Sequence, residues 1–328
     1  MLKLLDAPTV RQVLSVDELA SRIGDVFTQP GGGAGDFART AVHTGEGDLL
    51  VMPAVYASTL SVKLITLFDG ARARGLPTVQ GLVAVFDSRS GAPTALIDAT
   101  ALTELRTAAV TALATGVLAR KDARTLAVIG AGTQARGHLE GLAPLRPWHE
   151  VRLHSRDARR AHRLAEWAAG IGPGLDVRVC GSVEAAVSGA DVICTVTSSP
   201  EPLFADSAVA PHGVHISAVG AYGRERRELP SALVARSTLF VESAQAVLRE
   251  AGDLLIPIAE GALPKAPALV ELAELLGGGH PGRRDEGETT LFKSVGIPAE
   301  DAFTCDLLYH RAVEQGAGTD IGFGPSAP

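Results

Sequence analysis

The stretch that most constrains this chain is TLAVIGAGTQARGHLEGL, Thr125 to Leu142. A short apolar run stops at Gly130, Gly132 follows, Ala135 closes the pattern, and helix-forming residues continue. Leu126, Val128 and Ile129 suit a buried parallel strand. Gly130 permits a tight turn, Gly132 lets backbone approach a pyrophosphate, and the small Ala135 lets the next helix pack against the strand. The free N–H groups at that helix N-terminus then face the anion. A Gly-x-Gly-x-x-Ala string alone is a weak signal, because a glycine-rich turn in another α/β protein would also supply it.

Its surroundings narrow the choice. A second strand, Glu150 to His154, follows about twenty residues on, where a dinucleotide fold reads the adenosine ribose. An acidic residue at that strand end would favour NAD, but the chain has Ser155 and Arg156, then Asp157, Arg159 and Arg160. Hydroxyl and guanidinium suit a 2′-phosphate, since the planar fork of Arg binds phosphate in bidentate fashion. NADP(H) is therefore the expected coenzyme, with NAD(H) still open because Asp157 could reach the ribose and Arg159 or Arg160 could sit on a solvated helix face.

A chain of 328 residues with 46 % hydrophobic and 20 % charged residues has room for about two domains. The formal charge of −7 and the absence of a basic stripe argue against nucleic acid as a partner. Cys180, Cys194 and Cys305 are far apart in apolar settings, so they read as small buried hydrophobes, and no metal site is expected. No signal-peptide pattern and no long apolar run occurs, which makes a cytoplasmic protein without a membrane partner the expectation.

Ahead of the glycine motif, strand-like runs at Asp48 to Met52, Val62 to Phe68, Gly81 to Phe86 and Thr94 to Asp98 alternate too loosely with helices to be βαβ units. Leu102 to Leu118 reads as an Ala-rich helix. From Thr125 the order becomes strand, helix, strand, helix, through Val177 to Val179, Asp191 to Thr195, His215 to Ala218 and Ser237 to Val241. That alternation predicts a doubly wound parallel sheet. The glycine-rich, charged stretch 276–288 is expected to be the most mobile segment, and the residues after a helix from Glu300 to Gln315 are expected to fray.

Three cations of the leading region stand among apolar neighbours: Arg39, Lys63 in SVKLITLF, and Arg106 in LTELRTAA. A Lys in a buried strand bears a desolvation cost unless an anion meets it, and its pKa can fall far enough for proton exchange near neutrality. A pocket for a carboxylate would look like this. Two plainer readings stand beside it: an edge strand from which Lys63 reaches water, and a surface ion pair of Arg106 with Glu104 or Asp98.

The segments LLVMPAV (49–55), VKLITLF (62–68), RGLPTVQG (74–81), LTELRTAAVTALA (102–114), VIGAGTQARGHLEGL (128–142), AVGAYGRERREL (218–229), EAGDL (250–254) and TLFKSVGIPAEDAF (290–303) together resemble the ornithine cyclodeaminase/μ-crystallin family over nearly the whole chain. The resemblance implies an α/β protein. Its α+β substrate-binding and dimerisation domain would be residues 1–115 with 300–328, and its Rossmann domain residues 116–299; it also implies a homodimer. By motif position, Arg39, Lys63 and Arg106 would bind the substrate carboxylate, with Lys63 also exchanging a proton at the substrate nitrogen. Thr78, Thr107, Gly130, Gly132, Thr133, Gln134, Ser155, Arg156, Thr195, Thr197, Ser217, Val219, Gly220, Lys293 and Val295 would contact the coenzyme. Local caps and turns account about equally well for the threonines and serines.

One departure bears on the reaction. Cyclodeaminases and the alanine dehydrogenase type carry an aspartate in a Gly-x-Asp setting after the glycine strand, whereas this chain has Tyr222 after Gly220-Ala221. A phenol of pKa about 10 gives a diammonium substrate no counter-charge. Glu225 and Glu228 read as structural. The resemblance therefore implies an NAD(P)H-dependent reductase of a small cyclic ketimine carboxylate, with Tyr222 at the substrate. The alternatives are an ornithine cyclodeaminase, an amino-acid dehydrogenase of the same family, or a non-catalytic, crystallin-like NADPH-binding protein.

Overall fold

The computed structural model describes residues 1–29, 39–171 and 175–323. They form two compact units, Met1–Arg106 with Ile297–Pro328, and Thr107–Gly296. The division falls inside the long helix Ala99–Leu118.

The first unit is built on β1 (Leu2–Leu5), β2 (Thr40–His43), β3 (Asp48–Tyr56), β4 (Thr59–Leu67), β5 (Val79–Asp87) and β6 (Pro93–Asp98). β2 to β6 form an antiparallel meander, and β1 adds parallel to β6. The strands run longer than their most apolar stretches because each alternates. Thr59, Ser61, Lys63 and Ile65 face inward on β4, while Leu60, Val62 and Leu64 form the half-exposed outer face. The helix Pro298–Glu314 packs on β3 and β4. The residues after it do not fray as expected. Thr319–Ile321 pair antiparallel with β1, and Lys3 ties Ala317 and Asp320 to it. Residues 324–328 of that tail lie outside the described residues.

β3 and β4 are joined by a two-residue turn in which Ala57 has φ +50°, a conformation that crowds its Cβ against the backbone. Ala57→Gly is expected to stabilise the protein by about 0.5–1 kcal/mol, the strain relieved less the extra chain entropy of glycine. A melting temperature at or below the parent's would contradict this.

The second unit holds β7 (Thr125–Ile129), β8 (Glu150–His154), β9 (Asp176–Val179), β10 (Val192–Thr195), β11 (His215–Ala218), β12 (Thr238–Val241), β13 (Leu269–Glu271) and β14 (Thr290–Lys293). Their order is β13-β12-β14-β11-β10-β7-β8-β9, and the pairings are parallel throughout. Helices cover the sheet, so its central strands are buried on both faces, which is why they read as continuous apolar runs. Cys194 is buried here and Cys305 in the first unit, while Cys180 is partly exposed.

The stretch 276–288, expected to be the most mobile, is pinned instead. Arg283 donates to the carbonyls of Leu118 (2.8 Å), Val214 (3.3 Å) and Glu288 and to the Thr290 hydroxyl (3.0 Å). Arg284 holds the Glu288 carboxylate. One guanidinium with five donors replaces the hydrogen bonds that a glycine-rich loop lacks. Among the described residues no helix is long and apolar enough to cross a membrane.

Candidate active site

In the first unit Lys63 and Arg106 are buried together. β4 lies between β3 and β5, so Lys63 is not on an edge. Its ammonium is 1 % exposed, with Asp301 Oδ1 at 2.8 Å and Oδ2 at 2.7 Å. Arg106 donates from Nε to the same Asp301 Oδ1 (3.1 Å) and from Nη1 to Glu300 Oε2 (3.1 Å). The two plainer readings are thus not what the structure holds: Glu104 takes Arg11 instead (2.7 Å), and Asp98 accepts from the Ala101 amide. Burial lowers the Lys63 pKa to about 8. Asp301 opposes that fall, while Arg106 and Arg39 add to it. Arg39 is partly buried near enough for its charge to be felt there, and Thr78 is half-buried, with its carbonyl accepting from the Phe68 amide.

Sequence reasoning missed Glu300 and Asp301. The signal was present: two acids at the start of a helix, PAEDAFTCDLL, that is otherwise apolar on its buried side. Three buried-looking cations demand anions, and an apolar helix carrying a pair of acids is where to seek them.

In the second unit, Gly130 has φ +124°, and a Cβ there would lie 2.8 Å from the Val196 carbonyl oxygen, so the turn itself requires glycine. Gly132 differs. Its φ is −94°, and no atom of the described protein lies within 4 Å of where a Cβ would stand. Nothing in the chain's own packing calls for glycine, whereas a phosphate resting on the turn would. Gly132 begins the helix Thr133–Leu142 without a side-chain cap or an acid in its first turn, leaving its amides to an anion. Gln134 Oε1 and Thr195 Oγ1 are buried without a hydrogen bond among the described residues. These features fit a dinucleotide.

At the end of β8, Ser155 and Arg156 line a shallow pocket with His154, His162, Val179 and Cys180. Asp157 turns away as a helix cap, accepting from the Arg159 and Arg160 amides. Arg159 and Arg160 are exposed. Ser217 Oγ lies 3.2 Å from Thr115 Oγ1 and 3.1 Å from His215 Nε2. Burial and the nearby Arg283 lower the His215 pKa to about 3, so that imidazole is neutral. Thr107 is buried at the start of this unit.

The ends of β10 and β11 are held by Glu228. Its Oε1 accepts from the amide (2.7 Å) and hydroxyl (2.8 Å) of Thr197, and its Oε2 from the amides of Gly220 (2.7 Å) and Ala221 (3.1 Å). Asp253 Oδ1 in turn accepts from the Glu228 and Leu229 amides. The Lys293 ammonium is buried against Asp253 Oδ2 (2.9 Å) and the Ala221 carbonyl (3.0 Å), so its charge acts on this loop. The Val295 amide donates to Glu242 (3.0 Å), as does that of Gly296 (2.8 Å). The Val219 amide donates to the Thr195 carbonyl, and Tyr222 beyond it is 36 % exposed. Among the described residues no cluster of His, Cys, Asp and Glu suited to a metal occurs.

A parallel sheet with an open glycine turn, in a chain whose other unit holds buried cations, defines a dinucleotide-dependent oxidoreductase. The chain belongs to the ornithine cyclodeaminase/mu-crystallin family, whose model matches residues 3–316. It is 38 % identical over 278 residues to a Δ1-pyrroline-2-carboxylate reductase of Bacillus cereus, covering 84 % of each chain. It is 37 % identical over 300 residues to the ketimine reductase mu-crystallin of Mus musculus, covering 90 % of this chain and 91 % of that one. The solved Δ1-pyrroline-2-carboxylate reductase of Thermococcus litoralis, in complex with NADH and L-proline, superposes with a TM-score of 0.89 at 32 % identity, over 97 % of this chain and all of that one. An archaeal alanine dehydrogenase dimer with bound NAD gives 0.90 at 27 % identity, over 98 % and 99 % of the two chains.

Proposed function

We propose that the protein reduces a small cyclic ketimine carboxylate, Δ1-pyrroline-2-carboxylate or Δ1-piperideine-2-carboxylate, to L-proline or L-pipecolate. The observation that carries this reading is the buried Lys63, gripped by Asp301 and flanked by Arg106, with a pKa lowered to about 8. The relatives named reductases of such imines support it.

The nicotinamide coenzyme, when bound, supplies the hydride. Arg39 and Arg106 bind the substrate carboxylate and orient the ring. Lys63 keeps the imine nitrogen protonated, which makes the neighbouring carbon the electrophile. As that carbon gains hydride, the nitrogen loses its positive charge and retains its proton as an amine. Fixed cations around it favour that loss. The Glu228 grip keeps Thr197, Gly220 and Ala221 in place for the coenzyme.

Purified protein mixed with NADPH or NADH and each ring size should consume the coenzyme and yield the cyclic amino acid. Proline formed from ornithine and NAD⁺, with no turnover of either imine, would replace this reading by cyclodeamination. The Tyr222 phenol disfavours that outcome, since it offers no anion to a second ammonium.

NADP(H) is the preferred coenzyme within this reading. The pocket at Ser155 and Arg156 has no carboxylate in its lining, and Asp157 is committed to its helix. Arg156→Ala should raise the KM for NADPH about tenfold, the loss of a charge-assisted contact, and leave that for NADH nearly unchanged. Equal effects on both coenzymes would restore NAD(H). The functional particle is a homodimer, supported by the apolar outer face of the first sheet, where Val51, Val62, Leu64, Leu82 and Phe86 are left half-buried or exposed. Light scattering that returns the mass of a single chain would overturn it.

A further inference from the structure

Asp301 is the residue through which the buried cations are joined. It is fully buried on the helix Pro298–Glu314. Both of its oxygens hold the Lys63 ammonium, and one also takes Arg106 Nε, so a single carboxylate fixes both the proton carrier and a cation assigned to the substrate. Among the described residues, Asp301 is the anion recorded in direct contact with Lys63. The cross-strand neighbours of Lys63 on β3 and β5 are Met52 and Val83, and the Cys305 thiol, one turn along the same helix from Asp301, is kept protonated by burial. Arg106 and Arg39 repel the ammonium, and Glu300 is engaged by Arg106.

We propose that Asp301 is a positioning residue for the reduction: it holds the Lys63 ammonium charged and aimed, and ties it to Arg106. This rests on reading Lys63 as the proton carrier. A lysine this deeply buried among two guanidinium groups would lose its proton well below its ordinary range without an opposing charge. Asp301 is what keeps the proton on Lys63 up to about pH 8.

The test follows the lysine directly. Protein labelled at the lysine side-chain nitrogens has signals from Lys3, Lys63, Lys121, Lys265 and Lys293, and Lys63→Met assigns the one of interest. In Asp301→Asn its titration midpoint should fall by about one pH unit or more. The alkaline limb of kcat should move with it, kcat near pH 8 should drop about fivefold or more, and coenzyme affinity should stay level. Asp301→Glu should recover part of both. An unchanged midpoint in Asp301→Asn, or an Asp301→Glu variant as impaired as Asp301→Asn, overturns the proposal. Should Asp301→Asn not fold, Asp301→Ser takes its place: removal of the carboxylate should lower the midpoint in the same way, and an unshifted one refutes the assignment. If the parent protein reduces no cyclic ketimine, the reading of the reaction fails, and the titration still supports or refutes Asp301 as the counter-ion.

Discussion

Lys63→Ala should lower kcat for ketimine reduction by about 10²- to 10⁴-fold, the range a positioned proton donor supplies, while NADPH binding followed by fluorescence stays within about twofold. In the proposed reading the coenzyme is held by the glycine turn and strand ends of the second unit, whereas Lys63 belongs to the first. The parent enzyme should also lose reductive activity as pH rises through about 8, because Lys63 is protonated below its lowered pKa and neutral above it. Oxidation of the cyclic amino acid should show the opposite limb, since it needs the neutral amine as acceptor. A reductive profile flat from about pH 6 to 10, or equal losses in turnover and coenzyme affinity in the variant, would remove Lys63 from the chemistry.

Glu228→Ala should destabilise the protein by about 3–5 kcal/mol, the usual loss when a buried charged group is taken from its partners, with a fall in melting temperature on the order of 10 °C. Its two oxygens satisfy four donors at the ends of β10 and β11, and removal takes the acceptor from all four, of which the Ala221 amide is buried and the others partly so. Burial and Asp253 push this carboxyl up, while Lys293 and the donors of Thr197 pull it down. Glu228→Gln isolates charge from shape, because the amide keeps one acceptor and turns two N–H groups towards existing donors. Coenzyme affinity should weaken in both variants. Calorimetry that finds Glu228→Ala as stable as the parent would show that the loop is held by something else.

The strands β7 to β12 were legible to within a residue or two, whereas β13 and β14 were not read as strands. The central strands of a parallel sheet covered on both faces are short apolar runs, and the glycine spacing is read directly, although the clash that requires Gly130 comes from Val196 beyond β10. The strands of the first unit were seen only in part. β3 extends through Pro53 to Tyr56 and β4 begins at Thr59, because the antiparallel register with its two-residue turn, not apolarity, sets their ends. The last strand was missed since Thr319–Ile321 has no apolar pattern and exists only by pairing with β1. The loop at 276–288 was misjudged because glycine content is read locally, while Arg283 ties it to Leu118 and Val214, far away in the chain.

What the chain dictated by itself is whatever depends on neighbours in sequence: the glycine turn, the βα alternation, and the oddity of Lys63 among valines and leucines. Tertiary structure alone decided which anions answer those cations. Asp301 stands 238 positions from Lys63 and 195 from Arg106. A buried charge requires a counter-charge, but Coulomb attraction depends on distance in space, and only the packing of the closing helix against β3 and β4 made that distance short.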